Sequence, residues 1–194
     1  MLTIECKDIA KRFNKEVLFK KFNYTFSGNT KYALLGYNSS GKSTLLKIIG
    51  GVLTPTKGDV TYSPLGTTES LFSFCSPEMH LLDDYTVREL FKFHFSFKKP
   101  KISIEEQWNQ SILTDFLDKK YSELSSGLKN KVKLALALFT DAPALLLDEP
   151  CSNFDDINTL WYNQMIKKHW DDRMVIVASN QEIEYKFCQE MVNL

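Results

Sequence analysis

The sequence predicts an α/β fold organised on a parallel sheet, and three observations carry that prediction. Short apolar runs at Lys31-Tyr-Ala-Leu-Leu35, Ala144-Leu-Leu-Leu147 and Met174-Val-Ile-Val-Ala178 read as buried strands, because a strand covered on both faces has no polar side to alternate with. Segments of helical periodicity separate these runs, the pattern of a parallel sheet with helices on its faces. The first run opens into Gly36-Tyr-Asn-Ser-Ser-Gly-Lys-Ser-Thr44, which leads directly into Leu45-Leu-Lys-Ile-Ile49, apolar at helical spacing. Strand, glycine turn and helix therefore follow one another.

Composition bounds the rest. A chain of 194 residues with 43% apolar and 25% charged residues is sized for one domain with a sizeable core. Lys plus Arg and Asp plus Glu balance at 24 each, so no global basic excess points to nucleic acid or to an anionic membrane surface. Cys6, Cys75, Cys151 and Cys188 lie far apart with no CxxC, which reads as reduced thiols of a cytosolic protein. No run approaches the ~20 apolar residues of a membrane span. The opening Met1-Leu-Thr-Ile-Glu-Cys6 reads as a strand and not as a signal peptide.

In chain order, Leu2, Ile4 and Cys6 alternate with polar residues, as do Phe22, Tyr24 and Phe26 before a turn at Ser27-Gly28-Asn29. Residues 2–35 are thus expected to be β, with Phe13 between the two alternating stretches. Gly50-Gly51 stops the first helix, Thr54-Pro-Thr-Lys-Gly58 is a turn, and Asp59–Tyr62 and Leu71–Cys75 are expected strands. Thr86 with Glu89 three residues on is a capping-box pattern. Phe91, Phe93, Phe95 and Phe97 alternate at strand period, but the start signal favours a helix that buries Leu90, Phe93 and Phe97 and leaves Phe91 and Phe95 half exposed. A second helix starts at Ser103, with Glu105 and Glu106 in its first turn, and is expected to run up to Leu117. Residues 126–139 give the clearest helix, with Leu128, Val132, Leu136 and Phe139 on one face and Lys129, Lys131 and Lys133 away from it. A helix from about 157 to 169, a short helix over 181–187 and a strand at Glu190-Met-Val-Asn193 close the chain.

Three motifs carry chemistry. In the stretch 36–44 the two glycines let main-chain N–H groups turn inward. The new helix adds free N–H groups and the positive end of its dipole. Lys42 is placed for β- and γ-phosphate oxygens, and the Ser43 hydroxyl for Mg²⁺. Two Gly, one Lys and one Ser or Thr at this spacing arise by chance in a chain this long about once in a hundred. In Leu145-Leu-Leu-Asp-Glu-Pro150, two carboxylates sit where a buried strand emerges. Asp148 is expected to hold Mg²⁺ beside Ser43, and Glu149 to orient or deprotonate an attacking water. Leu124-Ser-Ser-Gly-Leu-Lys129 precedes the strongest helix and reads either as a simple serine N-cap or as a second anion site.

Together these motifs resemble the nucleotide-binding subunit of the ATP-binding cassette (ABC) transporters. Residues 36–44 match that family's Walker A, 124–128 a diverged signature, 145–150 Walker B with its catalytic Glu, and Ser152-Asn-Phe-Asp155 the D-loop, in the family's order and spacing over essentially the whole chain. The compact length resembles the small ATPase subunits of heme-exporter-like and simple bacterial exporter systems.

The resemblance implies one domain over 1–194, a P-loop NTPase with a RecA-like parallel sheet core, an antiparallel β lobe and an inserted helical lobe at about 79–135. It implies ATP and Mg²⁺ as cofactors and two subunits packed head to tail. Each ATP would lie between Gly36, Asn38, Ser39, Ser40, Gly41, Lys42, Ser43 and Thr44 of one subunit and Ser125, Ser126 and Gly127 of the other, with Asp155 in the binding set. Phe13 resembles the aromatic that stacks on adenine. Catalysis would fall to Glu149, Lys42 and the switch position, and Mg²⁺ to Ser43, Asp148 and the Q-loop residue.

Departures from the family pattern stand at three places. Asn180 occupies the switch histidine position. Glu78, or Pro77 with a one-residue gap, occupies the Q-loop glutamine position. Ser126 and Leu128 replace the second Gly and the Gln of the signature.

The implied partners are separate transmembrane permease subunits and a second cassette, as homodimer or heterodimer. No nucleic acid is expected, and the place of work is cytoplasmic, on the inner face of the cell membrane. Met79, Leu81, Leu82 and Tyr85 are the expected docking residues. A soluble ABC-type ATPase and a nucleotide-gated binding module with low turnover are the alternatives.

Overall fold

The computed structural model describes residues 1–64 and 66–194. Strands β1 (Thr3–Phe13) and β2 (Glu16–Ser27) form an antiparallel pair, and β3 (Lys31–Leu35) leads into α1 (Lys42–Ile49). Strand β4 (Lys57–Ser63) returns antiparallel to β1, closing a three-stranded sheet of order β2-β1-β4. A single helical turn, α2 (Thr68–Leu71), precedes β5 (Phe72–Cys75). Helices α3 (Val87–Phe97), α4 (Ile104–Ser111) and α5 (Ser126–Phe139) follow, then β6 (Ala144–Asp148), α6 (Asp156–His169), β7 (Met174–Ala178), α7 (Glu182–Tyr185) and β8 (Glu190–Asn193). The remaining strands form a parallel sheet of order β5-β6-β7-β3-β8. The parallel sheet with its helices is the one the apolar runs imply, and the separate antiparallel sheet is the one the family resemblance implies.

Each central strand feeds two cores. Leu145 and Leu147 of β6, with Val175 and Val177 of β7, face a core built with α3, α5 and α6. Ala144 and Leu146, with Met174, Ile176 and Ala178, face the other, which holds α1 and the inner side of the antiparallel sheet at Ile4, Cys6, Ile9, Phe22 and Phe26. This alternation of apolar residues between two cores follows from burial on both faces, with Asp148 at the end of β6 as the polar exception.

Three expectations about helices need correction. In α3 the capping box of Thr86 and Glu89 forms, but the buried face is Val87, Leu90 and Phe91, with Phe95 packed against it. Phe93 and Phe97 are exposed, at 47% and 77%. The seam passes through His94, whose Nε2 lies 2.8 Å from Thr140 Oγ1. A polar member of the seam hid the true phase from a count of apolar residues. The helix capped by Ser103 ends at Ser111, because Ile112 takes a left-handed φ of 55°, and short 3-10 turns at Thr114–Phe116 and Tyr121–Glu123 replace its expected continuation. Helix α5 has the expected bounds but not one exposed face: Asn130–Phe139 are all buried, Lys131 and Lys133 included. Lys131 Nζ lies 4.9 Å from the Trp161 ring centre, and Lys133 Nζ donates to the Pro77 carbonyl at 2.6 Å. Long stems let lysines line a central helix while their ammonium ends find partners.

The sheet register positions the site. Ala178 pairs with Leu34 on one side and Asp148 on the other. The segments that follow β3, β6 and β7 therefore leave one carboxyl edge side by side, the crevice where open parallel sheets bind ligands.

Candidate nucleotide site

The loop after β3 is shaped by backbone positions only glycine fits. Gly36 has φ +155°, and a Cβ there would stand 2.6 Å from Ser40 Oγ. Gly41 has φ +103°, and its Cβ would stand 2.8 Å from the Leu18 side chain. No side chain caps α1, so its first N–H groups remain open to an anion. Lys42 is 7% exposed. Its Nζ donates to the carbonyls of Gly36 at 2.9 Å and Tyr37 at 3.1 Å, so the loop curls around the ammonium. Ser40 Oγ is buried without a partner.

Ser43 Oγ donates to Asp148 Oδ1 at 2.8 Å, joining the start of α1 to the end of β6. Ser76 Oγ reaches the other oxygen of the same carboxylate at 3.3 Å. Asp148 is 4% exposed. Burial pushes its carboxyl up, the Ser43 hydrogen bond opposes this, and the charge of Glu149 adds to the rise. A buried carboxylate beside a hydroxyl is the hard-oxygen donor set of Mg²⁺, which keeps several waters and takes few protein ligands. Among the described residues no group of three or more His, Cys, Asp or Glu gathers as a metal cage.

Glu149 follows immediately and is exposed, with φ +41°. Its N–H donates to Ala178 O at 2.9 Å. A left-handed non-glycine residue costs on the order of 1–3 kcal/mol and persists where its surroundings hold it. Asn180, just beyond β7, donates from Nδ2 to Asn38 Oδ1 and so bridges the segment after β7 to the glycine loop. Lys42, Ser43, Asp148, Glu149, Asn38 and Asn180 thus belong to one edge of the parallel sheet.

Other expected residues stand elsewhere. The Glu78 carboxylate pairs with Lys47 of α1 and is 74% exposed. The Lys47 hydrogen bond holds its carboxyl below the usual range. Ser76, not Glu78, makes the hydrogen bond to Asp148. Sequence reading missed Ser76, although a parallel register that pairs Cys75 with Leu147 places the next residue level with Asp148. Ser125 caps α5, accepting from Leu128 N at 3.3 Å, and no hydrogen bond among the described residues joins Ser125, Ser126 or Gly127 to the loop 36–44. Gly127 abuts the D-loop: a Cβ there would stand 3.0 Å from Asn153 O. Asp155 caps α6, accepting from Asn158 N at 2.8 Å. Phe13, at the end of β1, is 51% exposed, with Lys11 Nζ 5.1 Å from its ring centre.

Comparison with known proteins agrees with this geometry. The chain is 28% identical over 96% of its length to the "Probable ATP-binding protein YbiT" of Escherichia coli O157:H7, of which it spans 42%. It is 27% identical over 95% of its length to the "Uncharacterized ABC transporter ATP-binding protein YybJ" of Bacillus subtilis strain 168, of which it spans 89%. The fold matches the dimeric post-hydrolysis state of the ATP-binding cassette MJ0796 bound to ADP and Pi, with a TM-score of 0.85 over 98% of this chain and 94% of that one at 23% identity. The family model described as "ABC transporter" matches residues 19–152, a stretch that contains the glycine loop, Ser125–Gly127, Asp148 and Glu149. By that match, and with a P-loop at the edge of its parallel sheet, this chain belongs to the ABC transporter family.

Proposed function

We propose that this chain binds and hydrolyses Mg·ATP at the site described and that hydrolysis powers a membrane transporter whose permease is a separate subunit. The observation that carries the reading is the Ser43–Asp148 hydrogen bond beside the loop that encloses Lys42. The main-chain amides of 36–44 and the Lys42 ammonium grip the phosphates, and Lys42 exchanges carbonyl partners for phosphate oxygens. Ser43 and Asp148 would hold Mg²⁺, which would supply neutralisation of phosphate charge there. Glu149 orients the attacking water and takes its proton. Asn180 donates a hydrogen bond toward the γ-phosphate without bringing a charge. Phe13 offers its ring to adenine.

Two cassettes close head to tail over ATP, with Ser125, Ser126 and Gly127 of one completing the charge stabilisation at the other's Walker A, and Asp155 at the same junction. Either a second copy or a different cassette supplies the partner half-site. No helix of the described residues is long and apolar enough to cross a membrane, so docking on the inner face of the membrane falls to an exposed surface. Leu82, Tyr85, Phe93 and Phe97 are exposed, and Phe93 stands 5.9 Å from Tyr85 and 5.3 Å from Phe97 between ring centres. This aromatic ladder, with Tyr85 ahead of α3 and Phe93 and Phe97 on it, extends the docking segment expected at 79–85 and fits an apolar helix of a permease.

Phosphate release from Mg·ATP by the purified protein tests the reading. Glu149→Gln is expected to abolish steady-state release while leaving ATP binding intact. Release that continues unchanged in Glu149→Gln would refute the assignment of the base. Slow turnover in the parent protein would favour a nucleotide-gated binding module, the second reading, which rests on the uncharged Asn180.

A further inference from the structure

Beyond the residues that face nucleotide, the turn that carries Glu149 needs its own support. It is pinned from three sides. Glu149 N donates to Ala178 O of β7, and Asn130 of α5 donates from Nδ2 to Pro150 O at 2.8 Å and Ser152 O at 2.9 Å. The third pin is Cys151 N, which donates to Glu184 Oε1 at 2.8 Å. Glu184 is 0% exposed, and its second oxygen, Oε2, is buried without a partner. Tyr162 Oη donates to the Glu184 carbonyl at 2.7 Å, which ties α7 to α6.

A fully buried carboxylate with one idle oxygen is a costly way to fill space. An apolar residue of similar volume would avoid burying the carboxylate but would leave the Cys151 N–H without an acceptor. What the carboxylate adds is an acceptor for one main-chain N–H, two residues after the strained Glu149. We propose that Glu184 is a positioning residue for hydrolysis: its carboxylate fixes the 149–152 turn and couples it to the segment that begins at Asn180. This rests on the ATPase reading above and adds to it the link between the water-activating residue and the switch position. Burial pushes the Glu184 carboxyl up, while the donors Ser179 Oγ and Cys151 N pull it down; glutamine keeps a side-chain oxygen that can accept from Cys151 N.

Two variants of the full chain separate this role from a packing role. Glu184→Leu keeps the volume, removes the buried polar group and removes the acceptor. It is expected to stay folded but to melt below the parent because the buried Cys151 N–H loses its acceptor, to bind Mg·ATP within about twofold of the parent, and to lose roughly tenfold to a hundredfold in kcat, the scale on which small misplacements act. Glu184→Gln keeps an acceptor for Cys151 N and is expected to retain kcat within about threefold. Amide exchange across 149–152, read on the same proteins without turnover, is expected to quicken in Glu184→Leu and not in Glu184→Gln. A Leu variant with parental kcat overturns the proposal, as does one with unchanged local exchange. A parent that hydrolyses nothing overturns the ATPase reading, while the exchange comparison still decides whether Glu184 holds the turn.

Discussion

Removing the Lys42 ammonium is the sharpest test of the nucleotide site. Lys42→Met keeps the buried stem and deletes the charge. In the structure the ammonium is satisfied by two carbonyls, Gly36 O and Tyr37 O, so binding phosphate exchanges hydrogen bonds and does not simply add them. Hydrogen bonds to charged groups are worth about 1.5–3 kcal/mol each. Two charge-assisted hydrogen bonds to phosphate form while the two to carbonyls weaken, so a net loss of about 2 kcal/mol is expected, or roughly thirtyfold in Kd. Because Lys42 is only 7% exposed, added salt should erode the difference less than it would at a surface pair. Calorimetric titration of Mg·ATP into both proteins gives the two dissociation constants, and far-ultraviolet circular dichroism confirms that the variant is folded. A folded Lys42→Met that binds Mg·ATP within about twofold of the parent would refute the claim that this loop and its lysine grip polyphosphate.

Three further outcomes are expected. Asn180→His restores a chargeable donor opposite the γ-phosphate and should raise the single-turnover rate; a rate no faster than the parent's counts against the switch role of this position. Leu82→Asp should abolish copurification with the permease while the melting temperature holds, and undiminished binding would move the docking surface elsewhere. His169, 2% exposed and with Nε2 2.8 Å from Gln110 Oε1, is pushed down to about 4 by burial, with Arg173 adding to the effect. The unfolded chain therefore takes up this proton first as pH falls. Stability is full above about pH 6.5 and declines toward pH 4, by on the order of 3 kcal/mol for this group. His169→Gln should flatten that decline in denaturant titrations across the window, and an unchanged slope would remove His169 as its source.

Legibility differed from element to element for physical reasons. Strands β6, β7 and β8 and helix α5 stood out at or within a residue of their observed bounds, because long apolar runs and strong caps are local signals. The phase of α3 did not, since its seam runs through His94, and a histidine facing Thr140 leaves no apolar mark. Lys131 and Lys133 looked like a solvated face because charge is read as exposure, yet their stems lie between α5 and its neighbours. The Glu78 position illustrates a harder limit: Lys47 lies one helix away in α1, and the competition between that cation and a metal is invisible until both are placed. Ser76 was missed because the Q-loop position was read at Glu78 or Pro77, and Glu184 because it belongs to no motif. One is found only through strand register, and the other only by asking where the Cys151 N–H goes.

The order of residues alone was enough for the phosphate loop, the two carboxylates after a buried strand, and the parallel sheet that brings them together. Those rest on short-range rules: φ values open only to glycine, the free amides of a new helix, and the two-residue repeat of a strand. The folded molecule was needed for everything that depends on distant segments meeting. Asn38 meets Asn180 across 142 positions, and Cys151 meets Glu184 across 33. Hydrogen bonds of that span leave no periodic trace in a sequence, because the geometry that makes them is set by how sheets and helices pack, and only then does each buried N–H find its acceptor.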